Sequence, residues 1–465
     1  MKYLRKALCV LISAVLAFGI FTIVPQSKAE AAFVIDYEPH CDAVYMVNLD
    51  TGIVVYEKNA DKIKFPASTT KMMTCMLALE YFSDPASEYY TISRTIMTDK
   101  TCINAGVWST GYLVEGERVR LKDLLHCAML PSDNYAALAI AYFVSEQKGN
   151  GSLEWFINRM NTRAKELGCT NTQFINPNGL FHEEHYSTAH DLFLIEKEAM
   201  SIPYFAEIVN TTVYFRPATN MNPQFGEKGA RLENTNKMLS TAYQNSKDPN
   251  QDYYYQYVKG IKTGFLKKAG HCLCSYATKD GYSYLCVCLD DGAQSNNKDP
   301  NLAMIDAKTL YQWAFSSLSL KEIVSTERPL PDTVNLGLAW GRDTLELYPA
   351  ESFTTLMPSH VEASSVMIKT DLPETVNAPV KKGQVLGKAQ LIYGSEVIGS
   401  VDVVAGETVQ RSELLYFLNL VGNLFQSTAF VIILVILLLS AVGYVVLSLM
   451  RTKNIGSLKR SVRRH

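Results

Sequence analysis

Residues 66–74 read PASTTKMMT, a proline, then a serine and a lysine three positions apart at the head of an apolar run. Pro66 fixes φ and punctuates the chain, and the run CMLALEYF beyond it keeps helical spacing, so a helix is predicted to begin here. On a helix, residues three apart share a face, which makes Ser68 and Lys71 neighbours. A serine hydroxyl is a poor nucleophile until a base takes its proton, and a lysine can do so only if burial or nearby cations lower its pKa. A helix start also supplies unpartnered backbone N–H groups that can hold a developing oxyanion. Chance produces many such serine–lysine pairs, so this one needs support from elsewhere in the chain.

Outward from that stretch, AVYMVNLDTGIVVYEKN carries two β-rich runs around Asp50-Thr51-Gly52, a hairpin signal. Downstream, LKDLLHCAML and YAALAIAYFV are apolar helical stretches broken at Pro131-Ser132-Asp133-Asn134, and SLEWFINRMNTRAKELG is a third. Thr188-Ala189-His190-Asp191 opens another helix in capping-box style. Residues 253–290 return to strands, and NLAMIDAKTLYQWAFSSL closes the segment as a helix. Strands at both ends with helices between predict an α/β domain whose sheet joins its two termini.

Two further motifs support the serine and lysine. Ser132-Asp133-Asn134 follows Ser68 by 64 residues at a helix break, and Lys262-Thr263-Gly264 follows Asn134 by 128 residues on a predicted strand. SxxK, SDN and KTG in this order are the signature of penicillin-binding proteins and class A β-lactamases. With LDTGIVVYEKNADKIKFPA before the first motif, PNGLFHEEHYSTAHDL after the second and KGIKTGFLKKAG around the third, residues 38–415 resemble the low-molecular-mass penicillin-binding D-alanyl-D-alanine carboxypeptidases. The resemblance implies an α/β transpeptidase-like (β-lactamase-like) domain with an antiparallel sheet and helices, followed by a small all-β domain. It also implies a serine peptidase that removes the terminal D-alanine from peptidoglycan pentapeptide stems and is acylated by β-lactam antibiotics.

Carried over residue by residue, the resemblance makes Ser68 the acylated nucleophile and Lys71 its base. Ser132 would relay a proton to the leaving group with electrostatic help from Lys262. Asn134 would hold the substrate amide, and Thr263 with Lys262 would receive the terminal carboxylate. Gly264 would let substrate backbone lie close to the strand. The oxyanion hole would be the backbone N–H groups of Ser68 and Phe265. Neither a metal nor an organic cofactor is expected.

The sequence departs from the family at two points. Tyr135 follows SDN where many relatives carry aspartate, and LDDGAQSNNKDPNLAMIDAKTLYQWAF lacks the arginine expected shortly before the closing helix. Other function classes have weaker support. A β-lactamase would hydrolyse its acyl-enzyme through an ExxxN glutamate, and neither Glu183 nor Glu184 has asparagine at the fourth position beyond it. A metallopeptidase could draw on His182, His185 and His190 beside Glu183 and Glu184, but HEEH does not match the HExxH helix pair. A catalytically weak wall-binding scaffold would not require the complete set of motif side chains.

The ends of the chain address it to a membrane. Lys2, Arg5 and Lys6, an uncharged run from Ala7 to Gln26, and the small residues of SKAEAA make residues 1–31 a predicted secretory signal peptide. Residues 428–450 are long and apolar enough to span, and the tail 451–465 holds six Lys and Arg residues with no acid, as cytoplasmic flanks do. The reading is therefore a single-pass bacterial membrane protein with its catalytic domain outside. It comprises residues 33–320 (peptidase), 330–412 (a small β-sandwich or barrel), a linker at 413–427, the span and the tail. A net charge of −2 gives no reason to expect nucleic acid.

Ten cysteines raise the question of disulfides. Cys9 leaves with the signal peptide, and an odd number cannot pair completely. If Lys279-Asp280-Gly281 form a hairpin loop, Cys272 pairs with Cys288 and Cys274 with Cys286, placing all four on one face. Small buried apolar residues, cross-strand disulfides or a four-thiolate zinc site are the readings that pattern allows.

Overall fold

The computed structural model describes residues 33–248, 251–294 and 300–461. The proposed signal peptide at 1–31 lies outside them, as do the side chains beyond Arg451. The chain divides into two compact units at Leu318/Ser319.

In the first unit a five-stranded antiparallel sheet is built from β1 (Ala43–Asn48), β2 (Val54–Lys58), β3 (Val258–Leu266), β4 (Gly270–Lys279) and β5 (Tyr282–Leu289). The order is β2-β1-β5-β4-β3, so the first and last parts of the domain pair at β1 and β5, as the sequence predicts, and β3 is an edge. Every residue of AVYMVN in β1 is buried, which fits a strand paired on both sides and covered on both faces.

The β4–β5 hairpin corrects one expectation. Its loop is two residues long, Asp280 and Gly281, with φ of 51° and 85°. Two left-handed residues match the twist of the flanking strands, and aspartate tolerates that conformation better than most side chains. The register is therefore shifted by one: Cys272 faces Leu289, Leu273 faces Cys288, Cys274 faces Val287 and Ser275 faces Cys286. A one-residue slip exchanges faces. Cys272 and Cys274 join the main apolar core with Val287 and Leu289, whereas Cys286 and Cys288 lie on the other face, their Sγ atoms 3.7 Å apart. All nine described cysteines are buried and unpaired.

The helices that matter for the site are α1 (Lys71–Tyr81), α2 (Leu121–Met129), α3 (Asn134–Lys148), α4 (Leu153–Glu166), α5 (Ala189–Met200) and α6 (Pro203–Asn210), with α7 (Leu302–Ser317) against the sheet. α1 is buried from Lys71 to Leu79, so it runs through the core rather than over it. Met72, Met73, Met76 and Leu77 are wholly inaccessible; burying each is worth about 1.5–3 kcal/mol, which secures the first turn of α1. The Thr188 hydroxyl caps α5 by accepting from Asp191 N at 3.0 Å.

In the second unit Leu318–Val324 is a strand paired with Phe353–Pro358. A six-stranded sheet holds the rest, with alternate residues such as Leu345, Leu347, Leu391, Val401 and Val403 in its core. The segment read as a linker is helical over Glu413–Gln426. The Ser412 hydroxyl caps it, and leucines and phenylalanines recur along ELLYFLNLVGNLFQ. The final helix, Thr428–Ser461, contains the one described segment long and apolar enough to cross a membrane, Thr428–Arg451, which suggests membrane anchoring. At 1.5 Å per residue those 24 residues extend about 36 Å, more than the roughly 30 Å of a hydrocarbon core.

Candidate active site

Ser68 sits in a short 3₁₀ turn, Ala67–Thr70, that leads directly into α1. Two threonines hold the turn: Thr69 Oγ1 donates to Pro66 O at 2.7 Å and Thr70 Oγ1 to Ala67 O at 2.8 Å. With its neighbours pinned and buried, Ser68 alone remains half-buried and faces a cleft of about 530 Å³.

Lys71 is wholly buried beneath it. Its Nζ lies 2.9 Å from Ser68 Oγ, 2.9 Å from Asn134 Oδ1 and 2.6 Å from the Asn178 carbonyl. Burial brings its pKa down to about 7, against a smaller upward pull from Asp133. As an ammonium, Lys71 can donate to all three acceptors. Once deprotonated it keeps two N–H donors for the two carbonyls and offers its lone pair to the serine hydroxyl.

SDN lies between α2 and α3. Ser132 has φ 63° and lines the cleft; its hydroxyl has no hydrogen-bond partner among the described residues. Asp133 points the other way, into the protein, where its carboxylate accepts from Ala136 N, Ser109 Oγ and Gly111 N. It caps α3 and ties the 107–117 segment to the motif. That segment is braced by the buried Arg216–Glu117 ion pair, 2.7 Å apart and inaccessible at both ends, and Arg216 Nη2 also donates to Tyr112 O.

KTG lies on the edge strand β3. Thr263 and Gly264 line the cleft, and Phe265 lies beside them with its ring 4.9 Å from that of His271. A Cβ at 264 would stand 3.0 Å from both Ala67 Cβ and Ser68 N. A side chain here would press on this chain's own nucleophile turn, which favours glycine. Lys262, like Lys71, is fully buried, and its Nζ donates to Thr263 O at 3.0 Å. Burial and Lys71 push its pKa well down.

Several groups at the site were not singled out in the sequence. Asn178 supplies the carbonyl that holds Lys71, and Gly179, at φ 80°, packs so tightly that a Cβ would lie 1.9 Å from Ala67 O. An Asn-Gly pair at a turn is the signal that could have marked them. Thr235 Oγ1 lies 2.6 Å from Thr263 Oγ1. Lys237, Tyr243, Tyr253 and His271 complete that end of the cleft. The histidines considered for metal are engaged separately. His185 Nε2 lies 2.8 Å from Thr70 Oγ1, with burial lowering its pKa to about 3, and His190 Nδ1 lies 3.1 Å from Asp61 on the surface.

Comparison with known proteins bears on the family and the fold. Residues 27–293, more than half of the chain, match the D-alanyl-D-alanine carboxypeptidase peptidase family, and residues 339–411 match the C-terminal domain of penicillin-binding protein 5. The chain is 28% identical over 380 residues to the D-alanyl-D-alanine carboxypeptidase DacF of Bacillus subtilis, covering 80% of this chain and 87% of that one. It is 26% identical over 390 residues to DacC of Escherichia coli, covering 80% and 86%. The crystal structure of DacD from Francisella tularensis superimposes with a TM-score of 0.60 at 24% identity, covering 83% and 97%, and so shares the fold.

Proposed function

This chain belongs to the D-alanyl-D-alanine carboxypeptidase family of serine peptidases, and from that premise we propose that Ser68 is the residue acylated by the penultimate D-alanine of a peptidoglycan stem peptide. The observation that carries the assignment is the buried Lys71 Nζ 2.9 Å from the Ser68 hydroxyl, held in place by the carbonyl oxygens of Asn134 and Asn178. As Ser68 Oγ bonds to the substrate carbonyl carbon, its proton passes to Lys71 Nζ. The oxyanion is received by the backbone N–H groups of Ser68 and Phe265. When the C–N bond breaks, the leaving D-alanine nitrogen takes a proton through Ser132 Oγ, whose hydroxyl is open to the cleft. Water then attacks the ester, Lys71 accepts its proton, and Ser68 is regenerated. Asn134 has a double duty, because its Oδ1 is occupied by Lys71 and only its amide N–H₂ remains for substrate.

A β-lactam enters the same reaction, and its acyl-enzyme remains because the leaving group stays tethered. The basic tail and the signal-like N-terminus support a catalytic unit outside the cell membrane with the tail in the cytoplasm, held in the lipid by the C-terminal span. Purified protein should release D-alanine from an acyl-D-Ala-D-Ala peptide and be labelled by fluorescent penicillin, and Ser68→Ala should abolish both. Labelling without release would indicate a penicillin-binding scaffold, and rapid destruction of the drug would indicate a β-lactamase.

A further inference from the structure

We propose that Lys237 supplies the positive charge that seats the substrate's terminal carboxylate in the cleft, beside the Thr263 hydroxyl. The inference deepens the carboxypeptidase reading and rests on it. An enzyme that cuts only the last residue must recognise a free carboxylate, and a carboxylate leaving water needs a cationic or hydrogen-bonding partner in return. The family arginine expected before the closing helix is missing from this sequence, and Lys262 is buried with its amine on the Thr263 carbonyl.

Among the described residues three other basic side chains reach the cleft: Arg231, Lys237 and His271. Arg231 is exposed and already paired with Glu233. His271 is held by Asp291, whose carboxylate takes both its ring Nδ1 and its backbone N at 2.8 Å. Lys237 has no acidic partner among the described residues. Its ammonium stands 5.0 Å from the Tyr243 ring centroid and 5.5 Å from that of Tyr253, and both tyrosines line the cleft. Aromatic faces hold a cation in place without neutralising it, and they strip away part of its water. An anion entering the cleft therefore meets an oriented, half-buried and uncompensated charge.

The position of Lys237 is fixed to the catalytic strand. Thr235, two residues earlier, bonds Thr263 through its hydroxyl and Leu130 O through its backbone N, and Asn236 Nδ2 donates to Gly260 O at 2.9 Å. Asn236 Oδ1 in turn accepts from Met238 N, so both neighbours of Lys237 are locked. The lysine thus rises from a turn welded to the KTG strand on the side where a peptide's end would project beyond Thr263.

The test uses full-length protein in detergent and two substrates, an acyl-D-Ala-D-Ala peptide and its C-terminal amide, which differ only in the carboxylate. For Lys237→Met, kcat/KM on the free acid should fall about ten- to hundredfold, mainly through KM, while the amide changes less than about twofold, so the preference for the acid collapses. Lys237→Arg should restore the preference, and Lys237→Gln serves if the methionine variant fails to fold. An equal loss on acid and amide, or no loss on either, with active wild-type protein, overturns the assignment. A wild-type protein that releases no D-alanine overturns the carboxypeptidase reading itself, and this inference falls with it.

Discussion

Asn134→Asp changes one atom and should move the pH dependence of the whole reaction. Asn134 is the first residue of α3, behind the Asp133 cap, where the helix N-terminus favours a carboxylate and keeps it ionised. The new charge would stand 2.9 Å from Lys71 Nζ in place of the amide oxygen. At an effective dielectric of about 20, two charges 3 Å apart interact by roughly 5 kcal/mol, an upper limit of about four pH units. Pairs that retain some solvent relaxation shift by about 1–3 units. Lys71 now titrates at about 7, so the variant should titrate between about 8 and 10. The base works only when neutral. Acylation by fluorescent penicillin should therefore fall about five- to five-hundredfold at pH 7 and recover as the pH approaches 10, where wild type has already levelled. The same shift has a stability signature of fixed sign. A lysine whose folded pKa lies below its unfolded value near 10.5 destabilises the fold fully below pH 7, and the cost fades as pH rises to 10.5. The variant should lose much of that slope. A midpoint that does not move, or a loss of rate equal at every pH, would refute Lys71 as the base.

Two structural predictions follow from the same site. Gly179→Ala adds a methyl group where the carbonyl of Ala67 already lies, at a φ of 80° that alanine avoids; the Ser68 turn must shift, and penicillin acylation should drop at least about tenfold by stopped-flow labelling even where the melting temperature falls only modestly. Glu117→Gln strands the Arg216 guanidinium in the interior and should cost about 3–5 kcal/mol in guanidinium denaturation, whereas Glu117→Leu with Arg216→Met should recover most of it. If the single variant is neutral, the 107–117 segment does not depend on that pair.

What could be read in the sequence was what local chemistry dictates. Pro66, the apolar run of α1 and the Ser132–Asn134 break each carry their own conformational signal, and KTG lies in a strand rich in β formers, so the motifs landed on the predicted elements. The hairpin register was misread because it turns on whether Lys279 belongs to the loop or the strand. A single residue decides the face of four cysteines, and composition does not weigh it. Asn178 acts through its carbonyl, which every residue has, so side-chain identity could not mark it. The motif names Lys262, but its complete burial depends on the packing of distant segments, which the local sequence does not show. The 413–426 helix was passed over because it adjoins a far more apolar segment whose signal dominates the window.

The burial of the cysteines has a practical consequence. Lack of solvent pushes the thiols of Cys75, Cys102, Cys169 and Cys272 up to about 12, so at neutral pH these sulfurs are protonated, and it is the thiolate that oxidises and exchanges. The described fold contains no crosslink. Cys288 is the exception to this inertness: its sulfur lies 3.7 Å from that of Cys286, and hydrogen bonds from Cys286 and Cys41 lower its thiol to about 6. Any covalent difference between protein prepared in air and under dithiothreitol should therefore be confined, among the described cysteines, to the cluster of Cys41, Cys286 and Cys288.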